Sequence, residues 1–223
     1  MTERHDDFTQ PTHFLDWRDP AVLAFTDAAV RGTAHPVDRA RLIFLAVRDQ
    51  LWYDPYTLST HPADYRASSI ARRDYGWCVP KAVLLTAACR AAGIPARLGF
   101  ADVRNHLQTD TLRARMGGSD LFVYHGYSEL YLDGRWVKAT PAFNKELCAR
   151  FGVPPIDFDG VHDALMHPYS ADGSRFMDYV TDHGWYPELP LAEIFAALRA
   201  EYGSDLIDSN DIAAHTPEDT FTR

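Results

Sequence analysis

Cys78 stands in Gly76-Trp77-Cys78-Val79-Pro80-Lys81-Ala82, directly before a run of helix formers from Lys81 to Ala92 that stops at Gly93-Ile94-Pro95. A thiol at the start of a buried helix meets unpaired backbone N–H groups and the positive end of the helix dipole. Both favour thiolate over thiol, so the position alone promotes a nucleophile. A cysteine that only fills space in the core is the plain alternative. A thiol nucleophile needs a base, and the base needs an orienting partner. Ten histidines are available. His5, His13, His35, His61, His183 and His215 lie in polar or turn-rich stretches and are expected in solvent. His162 and His167 flank an acidic, loop-like stretch, and His106 sits at the mouth of a polar segment. His125 differs, because it lies inside Leu121 to Leu132, an alternating run rich in Tyr, Val and Phe. A histidine inside a strand has a polar partner or faces a cleft, and the residues leave both readings open.

The elements that must position this pair follow from pattern. Ala21 to Val30 reads as a short helix with Pro20 near its first turn, and Asp38 to Trp52 as a second, with an apolar side of Leu42, Leu45 and Leu51. Trp52 to Ala67 is turn-rich, and its aromatics are expected near the start of the Cys78 helix, Val79 to Ala92. Ala96 to Val103 reads as a strand, and Asn105 to Gly118 as a loop or lid. Asp133-Gly134 is a strong two-residue hairpin signal joining Leu121–Leu132 to Arg135–Ala139. That turn sets Tyr131 opposite Trp136, Glu129 opposite Lys138 as a charge pair, and Tyr127 opposite Thr140. On this register Thr140 and Asn144 are the diagonal neighbours of His125, although Pro141 weakens the ladder there. Further on, Phe151 to Gly160 reads as loop, Asp163 to His167 as a turn of helix, and Leu191 to Tyr202 as a helix. Met1 to Thr12 is expected to be a loose leader and Asp205 to Arg223 a frayed tail, and Arg175 to Asp182 is ambiguous.

Composition bounds the rest. The 223 residues are 46% hydrophobic and 13% aromatic, enough for a sizeable core. The expectation is one α+β domain over 1–223, with its core at about 38–145 and a helical and loop extension over 146–223. Net charge is −9, which repels nucleic acid and acidic membrane surfaces, and no apolar stretch approaches membrane-spanning length. The N-terminus is polar and acidic rather than signal-like, so the cytoplasm is the expected compartment, with Cys78, Cys89 and Cys148 as free thiols. Cys89 lies eleven residues after Cys78, nearly on the same helix face, and reads as core. No paired Cys-x-x-Cys or helical His spacing suggests a metal site, so no metal or other cofactor is expected. Oligomeric state is not legible.

Three segments carry a family resemblance. Trp77-Cys78-Val79-Pro80-Lys81-Ala82 through Gly93-Ile94-Pro95-Ala96-Arg97, His125-Gly126-Tyr127-Ser128-Glu129-Leu130-Tyr131, and Gly134-Arg135-Trp136-Val137-Lys138-Ala139-Thr140-Pro141 together resemble the transglutaminase-like superfamily of papain-type cysteine enzymes, over roughly residues 40 to 145. The resemblance implies a nucleophile at the N-terminus of a buried helix packed on an antiparallel sheet, with extra helices at both ends. It implies Cys78 as nucleophile and His125 as general base. The family normally places aspartate before the proline of the last segment, and here that residue is Thr140. A hydroxyl can fix the tautomer of His125 but cannot stabilise an imidazolium as a carboxylate does. Asn144 is the other candidate for the third role, because papain-type enzymes use asparagine there.

The reaction class follows from a thiol nucleophile: attack on a carbonyl, loss of an amine and a thioester intermediate. Water then gives protease-like or amidase-like hydrolysis, the leading expectation, and an amine gives transamidation. The partner is a peptide or amide substrate. The Cys78 N–H would donate to the oxyanion, with Trp77, Tyr75, Tyr127 and the Trp52–Tyr56 stretch as further oxyanion or cleft candidates. A weak or inactive peptide-binding module on the same fold is the alternative.

Overall fold

One helix is buried along almost its whole length, and the other elements are arranged around it. The computed structural model describes residues 5–167, 169–170, 172–203 and 221. Chain order runs α1 (Pro20–Ala29), α2 (Pro36–Gln50), β1 (Trp52–Tyr53), α3 (Ala67–Ile70), β2 (Tyr75–Gly76), α4 (Cys78–Ala91), β3 (Ala96–Asn105), α5 (Asp110–Arg115), β4 (Leu121–Leu132), β5 (Arg135–Ala139), α6 (Lys145–Phe151), β6 (Met177–Tyr186) and α7 (Leu191–Tyr202). Short 3-10 turns occur at His5–Thr9 and Pro62–Tyr65. No described helix is long and apolar enough to cross a membrane.

Helix α4 is apolar on all sides, as a central helix must be, and every residue from Cys78 to Arg90 is buried. Its two buried basic side chains are held by backbone carbonyls. Lys81 Nζ donates to Arg48 O (2.9 Å) and Leu51 O (2.6 Å), carbonyls left unpaired where α2 ends. Arg90 donates to Ala96 O, Gln10 O and Pro187 O, tying the chain's two flanks to the start of β3. Lys81 thereby fixes where the chain leaves α2 for β1, which pairs in parallel with β2 immediately before Cys78.

The main sheet has the order β5-β4-β3-β6 and is antiparallel throughout. Asp133 and Gly134 both take positive φ, so the hairpin is the tight turn expected, and Tyr131 faces Trp136 and Glu129 faces Lys138. Two details of that register are corrected. Glu129 bonds Arg97 on its other neighbour strand (2.6 Å), and Lys138 reaches Asp182 on β6 (2.6 Å), so the facing residues form no charge pair. The ladder also ends at Ala139: the Thr140 N–H donates to Ala164 O instead of continuing opposite Tyr127.

Other expectations shift as well. Segment 105–118 contains α5, capped by the Thr109 hydroxyl. Residues 145–151 are helical, the ambiguous stretch becomes β6, and Ala164 makes a bridge to Ala139 in place of a helical turn. Within the supposed loose leader, Phe8 is buried and packs edge-on against Trp136 and Trp185. Met1–Arg4, and 204–223 apart from Phe221, lie outside the described residues, so the expectations for the frayed tail and for His215 do too.

Candidate functional site

Cys78 is the first residue of α4, with Trp77 as its N-cap. The approach of β4 to that helix end depends on Gly126: a Cβ there would sit 3.2 Å from Val79 Cα and 3.3 Å from Cys78 O. Two residues along, the Ser128 hydroxyl donates to Ala82 O and shares a bond with Thr86 Oγ1. A missing side chain and a hydroxyl zip thus draw strand and helix together, and His125 arrives beside the start of α4.

Cys78 and His125 line one cavity of about 490 Å³, counted with its open mouth. Tyr53, Pro55 and Leu58 line it from the segment after α2, Leu112 and Met116 from α5 and its cap, Phe122 and Val123 from β4, and Leu198 and Tyr202 from α7; Trp77 completes the wall. Cys78 is 5% exposed and His125 3%. Neither ring nitrogen of His125 has a hydrogen-bond partner, and the Trp77 indole nitrogen is also buried without one. Two ring nitrogens without a partner beside a thiol are what a site awaiting a polar ligand looks like.

Electrostatics correct the expectation of a ready thiolate. Burial pushes the Cys78 thiol up to about 12, against the pull of the backbone N–H groups of Gly126, Val79 and Cys78 itself. Burial also depresses the His125 imidazole to about 4. The resting pair is a neutral thiol and a neutral imidazole, because removing each from water outweighs what the helix end offers.

The other expected members are placed as follows. Thr140 is fully buried just past β5 with its hydroxyl near that of Tyr179, and it neither lines the cavity nor bonds to His125. Asn144 is equally buried, but its Oδ1 accepts the Tyr53 N–H (3.1 Å) and its Nδ2 donates to Glu146. It fixes the Tyr53 wall and makes no bond to His125. Tyr75 is 40% exposed and outside the cavity. Tyr127 packs its ring over Gly99 and donates to Asp182 (3.0 Å), away from the cavity. Among the described residues no cluster of His, Cys, Asp and Glu could hold a metal.

Sequence reasoning did not find the bulge in the strand just before His125. Ala101 faces His125 but Val103 faces Phe122, so Asp102 stands opposite two residues, Val123 and Tyr124, in a β-bulge. Tyr124 has φ +52°, a strained value for a tyrosine. Both bulge N–H groups are met by side chains. Asp102 Oδ1 accepts from Tyr124 (3.0 Å), and the Tyr202 hydroxyl accepts from Val123 (2.9 Å) while donating to Leu121 O (2.8 Å). His183, expected in solvent, lies with Nε2 2.7 Å from the same Asp102 oxygen and stacks on the Tyr124 ring at 4.3 Å.

Residues 24–141 match the family described as the transglutaminase-like superfamily. No curated protein matches the chain. Among solved structures, it is similar to a “Putative Cysteine Protease from Cytophaga hutchinsonii”, with TM-score 0.45 and 17% identity over 60% of this chain and 40% of that one. It is similar also to a “putative protease from Parabacteroides distasonis”, with TM-score 0.41 and 18% identity over 60% of this chain and 26% of that one. The chain thus spans less than half the length of either.

Proposed function

Because the chain belongs to the transglutaminase-like superfamily, we propose that it is a cysteine-dependent enzyme that cleaves an amide or peptide bond through Cys78 and His125. The observation that carries this reading is the shared cavity, in which a thiol and an unpartnered imidazole come from separate elements. Cys78 Sγ forms a bond to the substrate carbonyl carbon as its proton passes to His125. The C–N bond then breaks, and the amine leaves with that proton. Water, deprotonated by His125, adds to the thioester, the C–S bond breaks, and the acid is released with the thiol restored. The Cys78 N–H at the helix start and the unpartnered Trp77 indole N–H are the donors for the oxyanion. Among the described residues no acidic side chain lines the cavity to draw in a cationic amine acceptor, which favours hydrolysis over transamidation. Of the two candidates for the third position Thr140 is the better, since the Asn144 amide oxygen is engaged by Tyr53, but its hydroxyl makes no bond to His125 in this structure.

A specific observation favours a second reading, a weak or inactive peptide-binding module: Cys78 and His125 are both neutral at rest, and no carboxylate bonds the imidazole. Alkylation resolved by cysteine separates the two. The enzyme reading expects Cys78 to react about 10²-fold faster than Cys89 or Cys148 at pH 8, and His125→Ala to slow Cys78 by a similar factor. Equal, slow labelling of all three would leave only the binding module.

A further inference from the structure

We infer that the cavity selects an acyl donor that is uncharged and carries a large aromatic or branched apolar side chain next to the scissile amide, and that α7 sets this preference. This rests on the reading of Cys78 and His125 as the reacting pair. Among the described residues no charged side chain lines the cavity. Its unpartnered polar atoms belong to Trp77 and His125, both beside Cys78, and they suffice for the reacting amide alone. The hydroxyl of Tyr202 is spent on Val123 and Leu121, which leaves its ring as the surface offered to a ligand. The remaining wall is aliphatic and aromatic, with Leu58, Leu112, Met116, Phe122 and Leu198 prominent.

A carboxylate or ammonium entering that space would leave water and gain no partner, whereas an apolar side chain exchanges water for close contact. The apolar wall adjoins Cys78, so a side chain next to the reacting amide would lie against it. Leu198 and Tyr202 are four residues apart on α7 and face the cavity together. They lie beyond residues 24–141, so this wall is outside the part of the chain that matches the family. Tyr202 also anchors the helix to β4 next to the bulge, which makes this wall a fixed one.

The test uses the full chain and three iodo reagents of one chemistry: iodoacetamide, iodoacetate and N-benzyliodoacetamide. Second-order rate constants at Cys78 are divided by those of glutathione with the same reagent. The expected result is a normalised preference of at least tenfold for N-benzyliodoacetamide over iodoacetamide, with iodoacetate slowest. Leu198→Gln, checked for folding by thermal melting, should reduce that preference several-fold. A normalised ratio within twofold of unity in the native chain overturns the inference, whatever the variant does. So does a preference that Leu198→Gln, once folded, leaves intact. If Cys78 reacts with none of the reagents while the unfolded chain reacts with all, the nucleophile reading fails and this inference falls with it.

Discussion

Cys78 and Cys89 sit at opposite ends of α4, nearly on one face, and both are buried. Burial raises both thiols well above the ordinary value, so neither exposure nor acidity separates them at rest. Their surroundings do. Three backbone N–H groups pull down on the Cys78 thiol, while desolvation alone acts on Cys89. Cys78 opens on a cavity beside an unpartnered imidazole, and Cys89 is sealed among core residues. A nucleophile is therefore marked by what is left unsatisfied around it more than by its own resting charge.

Exchanging sulfur for oxygen at each end probes that contrast with the largest expected effect. Cys78→Ser should lower amide or ester hydrolysis about 10³-fold or more, since the hydroxyl is a far weaker nucleophile beside a base of such low affinity for protons. Its melting temperature should change little, because a hydroxyl there reaches the cavity and nearby N–H groups. Cys89→Ser should do the reverse. Turnover survives, while a hydroxyl buried without a partner costs about 1–3 kcal/mol of stability, read by urea unfolding. Equal effects of the two substitutions on turnover would remove the distinction between the ends of α4.

The neutral resting pair gives the second prediction. With the imidazole at about 4 and the thiol at about 12, thiolate is scarce across neutral pH and grows about tenfold per unit as pH rises. Alkylation of Cys78 should climb from pH 6 to 9 without a plateau. Thr140→Asp places a carboxylate where the family has one. A nearby anion favours the imidazolium, raises the His125 pKa and lets the thiol lose its proton at lower pH. The profile should move to lower pH and labelling at pH 7 should rise about tenfold. An unchanged profile would mean that residue 140 does not act on His125.

What was legible in the sequence divides along the same line between local and tertiary causes. The Asp133-Gly134 turn fixes its own backbone, so the hairpin and its register could be read from two residues. The partners of the charged groups could not, because Glu129 has a strand on each side and Arg97 lies opposite it on the second. The start of α4 was legible from Pro80 and the apolar run after it, yet the protonation state of Cys78 was not. The helix end is a local fact, and the desolvation that overrides it is made by elements distant in sequence. Nothing in Val123-Tyr124 resembles a bulge, because neither residue is a glycine. The bulge exists because Asp102, 22 residues before Tyr124, and Tyr202, 79 after Val123, supply the missing acceptors.

That bulge yields the smallest expected effect. A tyrosine at φ +52° carries on the order of 1–3 kcal/mol of strain, and the bond from its N–H to Asp102 offsets part of it. Asp102→Ala removes the acceptor and frees the bulge to relax, and His125 is the next residue along the strand. Cys78 labelling should fall about fivefold, while Asp102→Asn, which keeps an acceptor oxygen in place, should stay within about twofold of the native rate. General destabilisation alone would give the same order in melting temperature, so a compensating change is needed to separate the two. Glycine adopts this φ without strain. Adding Tyr124→Gly to Asp102→Ala should restore most of the labelling rate although the stacking on His183 is lost as well. If the double variant labels no faster than Asp102→Ala alone, the bulge does not aim the imidazole, and the contrast between the two ends of α4 rests on the cavity and the helix N–H groups only.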